Sequence, residues 1–409
     1  MSIKTLYLPL VAACLLMAGC ERGGDTPAPV PEKPQSVLAF RDGTTLSLGS
    51  DGCTLREIAF ESTLGWTATA SVPWITLSKE YGDGAAGVQT LAVSVPRLFA
   101  LVPRSGEVSV TSPDGTITLA VSQQAPVFPT ISAFFQAVRS EGYVHQYICA
   151  HRANTYEGIY KTKDCPENSV AAVRRCIDLG LEMVEIDVRQ TKDGVLVCCH
   201  DDAISNTTTG SGVIADMTYE EICRYDMIIR ATGIRCPGQK MSTLSQILRV
   251  AKGRIWINLD AIKVNSDAFF KAMVDTLKQE GMLDQVTYYV GSSKAYADKL
   301  TTLSDGKLSI DLYVGSAADG TTKLAGNPSG HVLQIYKGTW EGVATPTVPD
   351  DIRKAGFCSL ANMLESDSQL LQGKTTPLVD FTRAKIDFMQ TDYGDCPTMQ
   401  NYLVSNNLR

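Results

Sequence analysis

Histidine is scarce in this 409-residue chain, which carries four: His145, His151, His200 and His331. No Cys-x-x-Cys pair occurs, which argues against the usual structural zinc sites. There is no excess of positive charge either. Thirty-seven basic residues against forty-four acidic ones leave a net charge of -7, so nothing attracts nucleic acid through its phosphates. Beyond the first twenty positions no apolar run approaches the roughly twenty residues that a membrane-spanning helix needs. An anionic ligand must therefore be met by a few local cations.

What is present begins with an export signal at residues 1–19. Lys4 supplies the positive start, an apolar run from Leu6 to Met17 comes next, and Ala18-Gly19-Cys20 closes it like a lipobox. This predicts a lipoprotein whose mature chain begins at Cys20, held to a membrane through a lipid on that thiol and exported to the outer membrane, on its periplasmic or cell-surface side. Residues 20–36, with Pro27, Pro29, Pro31 and Pro34, read as an extended tether. Ten of the twelve cysteines lie beyond the signal and Cys20. Cys223 and Cys236 could close a local loop in an oxidising compartment. Cys198 and Cys199, adjacent on a strand, should face opposite sides, and most of the ten read as small buried hydrophobes.

Between residues 37 and 126 the pattern is of short alternating strands, with Leu91, Val93 and Val95 on one face and Ile117, Leu119 and Val121 repeating the period of two. Pro113-Asp114-Gly115 predicts a hairpin turn between Val108–Val110 and Ile117–Val121. The pattern as a whole predicts an all-β sandwich. The stretches Gly65-Trp66-Thr67-Ala68, Val72-Pro73-Trp74-Ile75-Thr76-Leu77, Arg104-Ser105-Gly106 and Val121-Ser122-Gln123-Gln124 resemble the BACON family, immunoglobulin-like sandwiches on exported Bacteroidetes proteins. That resemblance implies a spacer or a glycan contact, whereas Trp66 and Trp74 themselves read as core residues. Residues 127–142 form a linker in which Ile131 to Val138 suggest a short helix packed on the carboxy-terminal domain.

From residue 143 to 409 the period changes. Strand-like runs at Tyr147–Ala150, Met183–Val188, Ile255–Leu259, Val286–Val290, Leu308–Val314, Val332–Ile335, Phe357–Leu360 and Ile386–Gln390 alternate with helix-like ones such as Ser169–Leu179 and Ala268–Leu277. This is βα repetition and predicts an α/β TIM barrel. A doubly wound open sheet competes, but no Gly-rich nucleotide loop comes after the first strand.

Two of the four histidines end predicted strands: His151 after Tyr147–Ala150 and His200 after Val195–Cys199. Barrel active sites collect at strand ends. Glu185 and Asp187, two positions apart on a strand, share a face. An acidic pair among Met183, Val184, Ile186 and Val188 calls for compensation, which a hard divalent cation, calcium or magnesium, provides. His145 and His331 read as structural.

These residues carry a second resemblance. Ala150-His151-Arg152, Pro166-Glu167-Asn168-Ser169, Glu185-Ile186-Asp187-Val188, Thr191-Lys192-Asp193-Gly194 and His200-Asp201-Asp202 together resemble the glycerophosphodiester phosphodiesterases, over residues 145 to 396. Thr207 to Gly212 and the closing Gln390-Thr391-Asp392 fit the same family more loosely. The resemblance implies a TIM barrel that hydrolyses a small glycerophosphodiester to glycerol phosphate and an alcohol. It assigns His151 and His200 as general acid and base without deciding which is which, Glu185 and Asp187 as metal ligands, and Arg152 as a phosphate grip with Glu167 beside it. The family ends its fourth strand with a glutamate ligand where this chain has Asp260, and places a lysine two residues later where Lys263 stands three later. Ala153 occupies a position usually held by glycine, where it could crowd the phosphate or tilt the turn. Asn362 falls where the family has polar substrate contacts. A lipid-directed phospholipase and an inactive binding barrel are the competing readings.

Overall fold

The computed structural model describes residues 37–83, 87–162, 164–327 and 330–408. The predicted signal, Cys20 anchor and tether lie outside the described residues. The amino-terminal region forms two sheets. One is four-stranded in the order Leu38–Phe40, Cys53–Ser62, Val88–Val95, Thr76–Leu77; the other is five-stranded in the order Thr45–Leu48, Gly115–Gln123, Arg104–Ser112, Trp66–Ala70, Tyr81–Gly82. Alternation along the strands sends Phe60, Leu91 and Val93 from the first sheet and Trp66, Val108, Val110, Leu119 and Val121 from the second into one core. The predicted hairpin is present: Ser112 lies opposite Gly115, which takes φ 138° after Pro113 and Asp114. Trp66 is buried, as expected of a core residue, and its Nε1 donates to Gln89 Oε1 at 3.4 Å. Trp74 is only half-buried, with the Arg104 guanidinium 4.3 Å from its ring centroid.

The carboxy-terminal region is a closed parallel barrel of eight strands: β1 (Tyr147–Ala150), β2 (Met183–Gln190), β3 (Trp256–Asp260), β4 (Val286–Tyr289), β5 (Ser309–Val314), β6 (Val332–Ile335), β7 (Cys358–Asn362) and β8 (Phe388–Thr391). Neighbours pair in chain order, and β1 closes the ring by pairing with both β2 and β8. Both faces of each strand are covered, which explains why the sequence shows apolar runs rather than clean alternation. On β2, Val184, Ile186 and Val188 pack outward against the surrounding helices, while Met183, Glu185 and Asp187 alternate to the interior.

The interior is apolar at its base and polar at its mouth. Tyr147, Met183, Trp256, Val332, Cys358 and Phe388 meet at the base around Phe134 and Phe135 of the helix α1 (Ile131–Ser140). Phe134 stacks on Trp256 with ring centroids 5.2 Å apart. The helix expected within the linker thus belongs to the barrel's core, sealing the end away from the strand termini. Thr130 caps it by accepting from Ala133 N at 3.1 Å.

Two expectations are corrected. The segment before His200 is not a barrel strand: Leu196–Cys198 folds back antiparallel on the end of β2, Val188 facing Cys198 and Gln190 facing Leu196. The few residues around Asp193-Gly194 permit only a hairpin, because a parallel neighbour needs a crossover of a dozen residues or more. Asp260 therefore ends the third barrel strand, the place its run holds in the predicted order. Cys223 and Cys236 are both free, as are the other described cysteines. Cys198 and Cys199 do face opposite ways, into separate apolar clusters.

Candidate active site

The predicted site residues come from within β2, from the ends of other strands and from the segments that connect strands to helices. Glu185 and Asp187 come from β2 and Asp260 from β3, paired in register opposite Asp187. One carboxylate oxygen from each lies within 4.8 Å of the others. Asp260 Oδ1 is buried without a hydrogen-bond partner. Three hard oxygen donors with an orphaned lone pair among them suit a divalent cation such as calcium or magnesium. Burial, then the neighbouring charges of Asp187 and Asp260, push the Glu185 carboxyl well above its ordinary range. Burial would raise Asp187 too, but Lys263 and Asn168 bring it below the usual value.

The turn after β1 is unusual. Arg152 and Ala153 have φ 54° and 55°, a left-handed conformation costing on the order of 1 kcal/mol for a residue with a Cβ. It aims the Arg152 backbone N–H at Glu185 Oε2, 2.8 Å away. The Ala153 methyl does not crowd the mouth: it is buried in the outer core, beyond the strands. The Arg152 side chain spans two acids, with Nη1 donating to Glu167 Oε1 at 3.2 Å and Nε 3.7 Å from Asp187 Oδ2. Lys263, despite its displacement by one residue, reaches Asp187 Oδ1 at 2.9 Å. Asn362 ends β7, with Oδ1 unpartnered, apart from this network.

Both histidines are held in the same manner. His151 Nδ1 lies 2.8 Å from Asp392 Oδ1, and His200 Nδ1 lies 2.6 Å from Asp201 Oδ1. A carboxylate on Nδ1 fixes the tautomer that leaves Nε2 for proton transfer. Burial, partly opposed by Asp201, holds the His200 pKa below its ordinary value. The His200 turn is anchored by Arg189, whose Nη2 donates to the His200 carbonyl at 2.6 Å and whose guanidinium also pairs with Asp202. His145 and His331 stand apart as structural residues: His145 is 3.2 Å from Glu182, and His331 Nδ1 accepts from Ile310 N at 3.1 Å.

Several contributors carry no signal of their role in the sequence. Asp392 lies just past β8, at the end of a loosely matching motif. Asn154 steadies it, donating to Oδ1 at 2.9 Å. Asn168, inside the motif at Pro166–Ser169, exchanges two hydrogen bonds with Asp187, at 2.9 and 3.0 Å. Asp201 reads in sequence as a turn former. Arg230, in the excursion between β2 and β3, bonds Asp201 at 2.8 Å and lies 3.7 Å from Glu167, joining the two halves of the site. No spacing signal marks it, because the contact closes across an irregular loop.

Comparison with known proteins places part of the barrel beside one family. Residues 151–311 match the model of the glycerophosphoryl diester phosphodiesterase family. A glycerophosphodiester phosphodiesterase of Caldanaerobacter subterraneus subsp. tengcongensis is 37% identical over 103 residues, 25% of this chain and 39% of its own length. Glycerophosphodiester phosphodiesterase 1 of Rattus norvegicus is 40% identical over 73 residues, 18% of this chain and 20% of its own. The chain thus spans well under half of either relative. Among solved structures, a glycerophosphoryl diester phosphodiesterase from Parabacteroides distasonis shares the fold at a TM-score of 0.55 and 18% identity, over 68% of this chain and 93% of that one. A structure from Silicibacter pomeroyi does so at 0.50 and 16%, over 67% and 99%.

Proposed function

We propose that the barrel hydrolyses a glycerophosphodiester to glycerol phosphate and an alcohol, with His151 and His200 as the proton-transfer pair. The observation that carries this reading is the convergence of two imidazoles, each tied through Nδ1 to an aspartate, on a three-carboxylate cluster. One Nε2 takes a proton from the attacking water as its oxygen bonds phosphorus; the other supplies a proton as the opposite P–O bond breaks and the alcohol leaves. Arg152 and Lys263 offer positive charge to the non-bridging oxygens. A calcium or magnesium ion on Glu185, Asp187 and Asp260 would supply Lewis-acid neutralisation of phosphate charge. The intact Lys263 contact counts against an inactive binding barrel.

The test is release of glycerol phosphate from glycerophosphocholine and related esters, with metal and with chelator. His151→Ala and His200→Ala should each lower turnover by roughly 10²–10⁴-fold while the protein stays folded. Undiminished turnover in either variant refutes these roles.

The sequence further supports an exported lipoprotein, anchored through Cys20 on the outer membrane, in which the amino-terminal region is an immunoglobulin-like spacer. Buried Trp66 favours the spacer role over a glycan platform. Metabolic labelling with palmitate, lost in Cys20→Ala, is the expected result; label retained in that variant contradicts the anchor.

A further inference from the structure

The mouth of the barrel has two unlike halves. Strands β8, β1, β2 and β3 present the histidines, acids and cations described above. The next three strands present tyrosines: Tyr289 ends β4, Tyr313 lies near the end of β5 and Tyr336 comes directly after β6. Tyr289 sits in register beside Asp260, so the arc begins where the carboxylate cluster stops. Tyr313 and Tyr336 touch, with ring centroids 4.1 Å apart. Exposure is greatest at Tyr336, 41% accessible, while Tyr289 and Tyr313 are half-buried behind it. Tyr289 thus stands beside the cluster, with the Tyr313–Tyr336 ring pair on the two strands that follow.

The charged groups around this wall are mainly carboxylates. Asp311, fully buried, lies in register beside Tyr289; burial pushes its carboxyl up to about 7, so it is only partly ionised near neutrality, its Oδ2 accepts from Asn258 Nδ2 at 2.7 Å and its Oδ1 has no partner. The Tyr289 hydroxyl is raised by burial and then by Asp311 and Asp260; that of Tyr313 by burial, then by Tyr336 and Glu365. Lys337, next to Tyr336, is neutralised by Glu365 at 2.8 Å and Glu341 at 2.9 Å. An aromatic wall in a negative field suits a bulky, weakly hydrated cation, which ring faces attract. An alkylammonium without N–H groups also needs no hydrogen-bond acceptor from the rings.

Building on the phosphodiesterase reading, we propose that the arc of Tyr289, Tyr313 and Tyr336 receives the departing alcohol and selects one that carries a quaternary ammonium. The arc then determines specificity, not chemistry: phosphate and glycerol remain with the half of the mouth that holds the two histidines, Arg152 and Lys263.

The test compares glycerophosphocholine with its uncharged isostere, the 3,3-dimethylbutyl ester, on the full chain with divalent metal. Shape is matched, but the ammonium also makes choline the better leaving alcohol, so the contribution of the arc is read as the change in the kcat/KM ratio between parent and variants. We expect roughly 5- to 30-fold of the parent's preference for the choline ester to come from the arc, the range that a partly desolvated cation–π contact supplies. Tyr313→Leu and Tyr336→Leu should lower the ratio by most of that factor, and Tyr336→Phe should restore it, because the ring face is retained. Equal kcat/KM for the two esters, or a ratio unmoved in both leucine variants, overturns the proposal. If neither ester turns over, the hydrolase reading fails, and calorimetric binding of the same two esters decides the subsite. Tighter binding of the choline ester upholds it and equal binding ends it.

Discussion

His151 Nδ1 and Asp392 Oδ1 are 2.8 Å apart although 241 residues separate them in sequence. Closure of the barrel makes this contact, since β1 and β8 become neighbours only when the last strand pairs with the first. The contact orients the imidazole. Asp392→Asn should keep the geometry but favour the wrong tautomer. We expect kcat to fall on the order of 10²-fold, within the range general acid–base catalysis spans, with KM little changed. A proportional rise in KM at constant kcat would show that Asp392 serves binding instead.

Metal and stability are linked through Glu185. Without a cation, three carboxylates crowd one buried site, so Glu185→Gln should raise the melting temperature of chelator-treated protein. Calcium or magnesium at about a hundredfold over Kd should stabilise the parent by about 2.7 kcal/mol and the variant far less. Thermal melts with and without metal check both signs. A variant less stable than the parent in chelator, or equally stabilised by metal, would contradict the assignment.

Acid should destabilise the fold partly through His331. Burial lowers its pKa from 6.5 to about 4, and neutral Nδ1 accepts from Ile310 N. Between those values the unfolded chain binds a proton that the folded chain refuses. This contribution is therefore complete above about pH 6.5 and is lost as pH falls towards about 4, by at most about 3 kcal/mol. His331→Asn retains an acceptor without the titration. Urea midpoints compared at about pH 7.5 and about pH 5, on either side of the unfolded histidine's pKa, should fall less in the variant; an equal fall in both would rule His331 out.

The base of the barrel depends on Phe134, which is fully buried and touches Trp256, Tyr147 and Phe388. Phe134→Ala should cost about 3–5 kcal/mol by denaturant unfolding, with kcat nearly unchanged in the fraction that remains folded. A loss under about 1 kcal/mol, far below the usual cost of emptying a core site, would mean that α1 is a detachable linker helix.

Much of this was legible in the chain. Apolar runs alternating with amphipathic ones dictate a parallel sheet with both faces covered, and the pairing of the last strand with the first makes it a barrel and not an open sheet. His151, Glu185 and Asp187 were readable because a strand's period of two and its end position are local properties. Asp201 and Arg230 were not, since their roles depend on where loops from different strands cross. Lys263 and His200 were legible as candidates, but the reach of Lys263 to Asp187 and the hairpin that carries His200 back along β2 were not. The residue sequence by itself determined which groups alternate to the barrel interior and which end their strands. Only the tertiary structure decided which of them meet: ring closure sets Asp392 on His151, the β2 hairpin delivers His200, and three tyrosines distant in the chain become one wall. Secondary structure is set by neighbours a few residues away, whereas a site is assembled by contacts whose sequence separation no local pattern records.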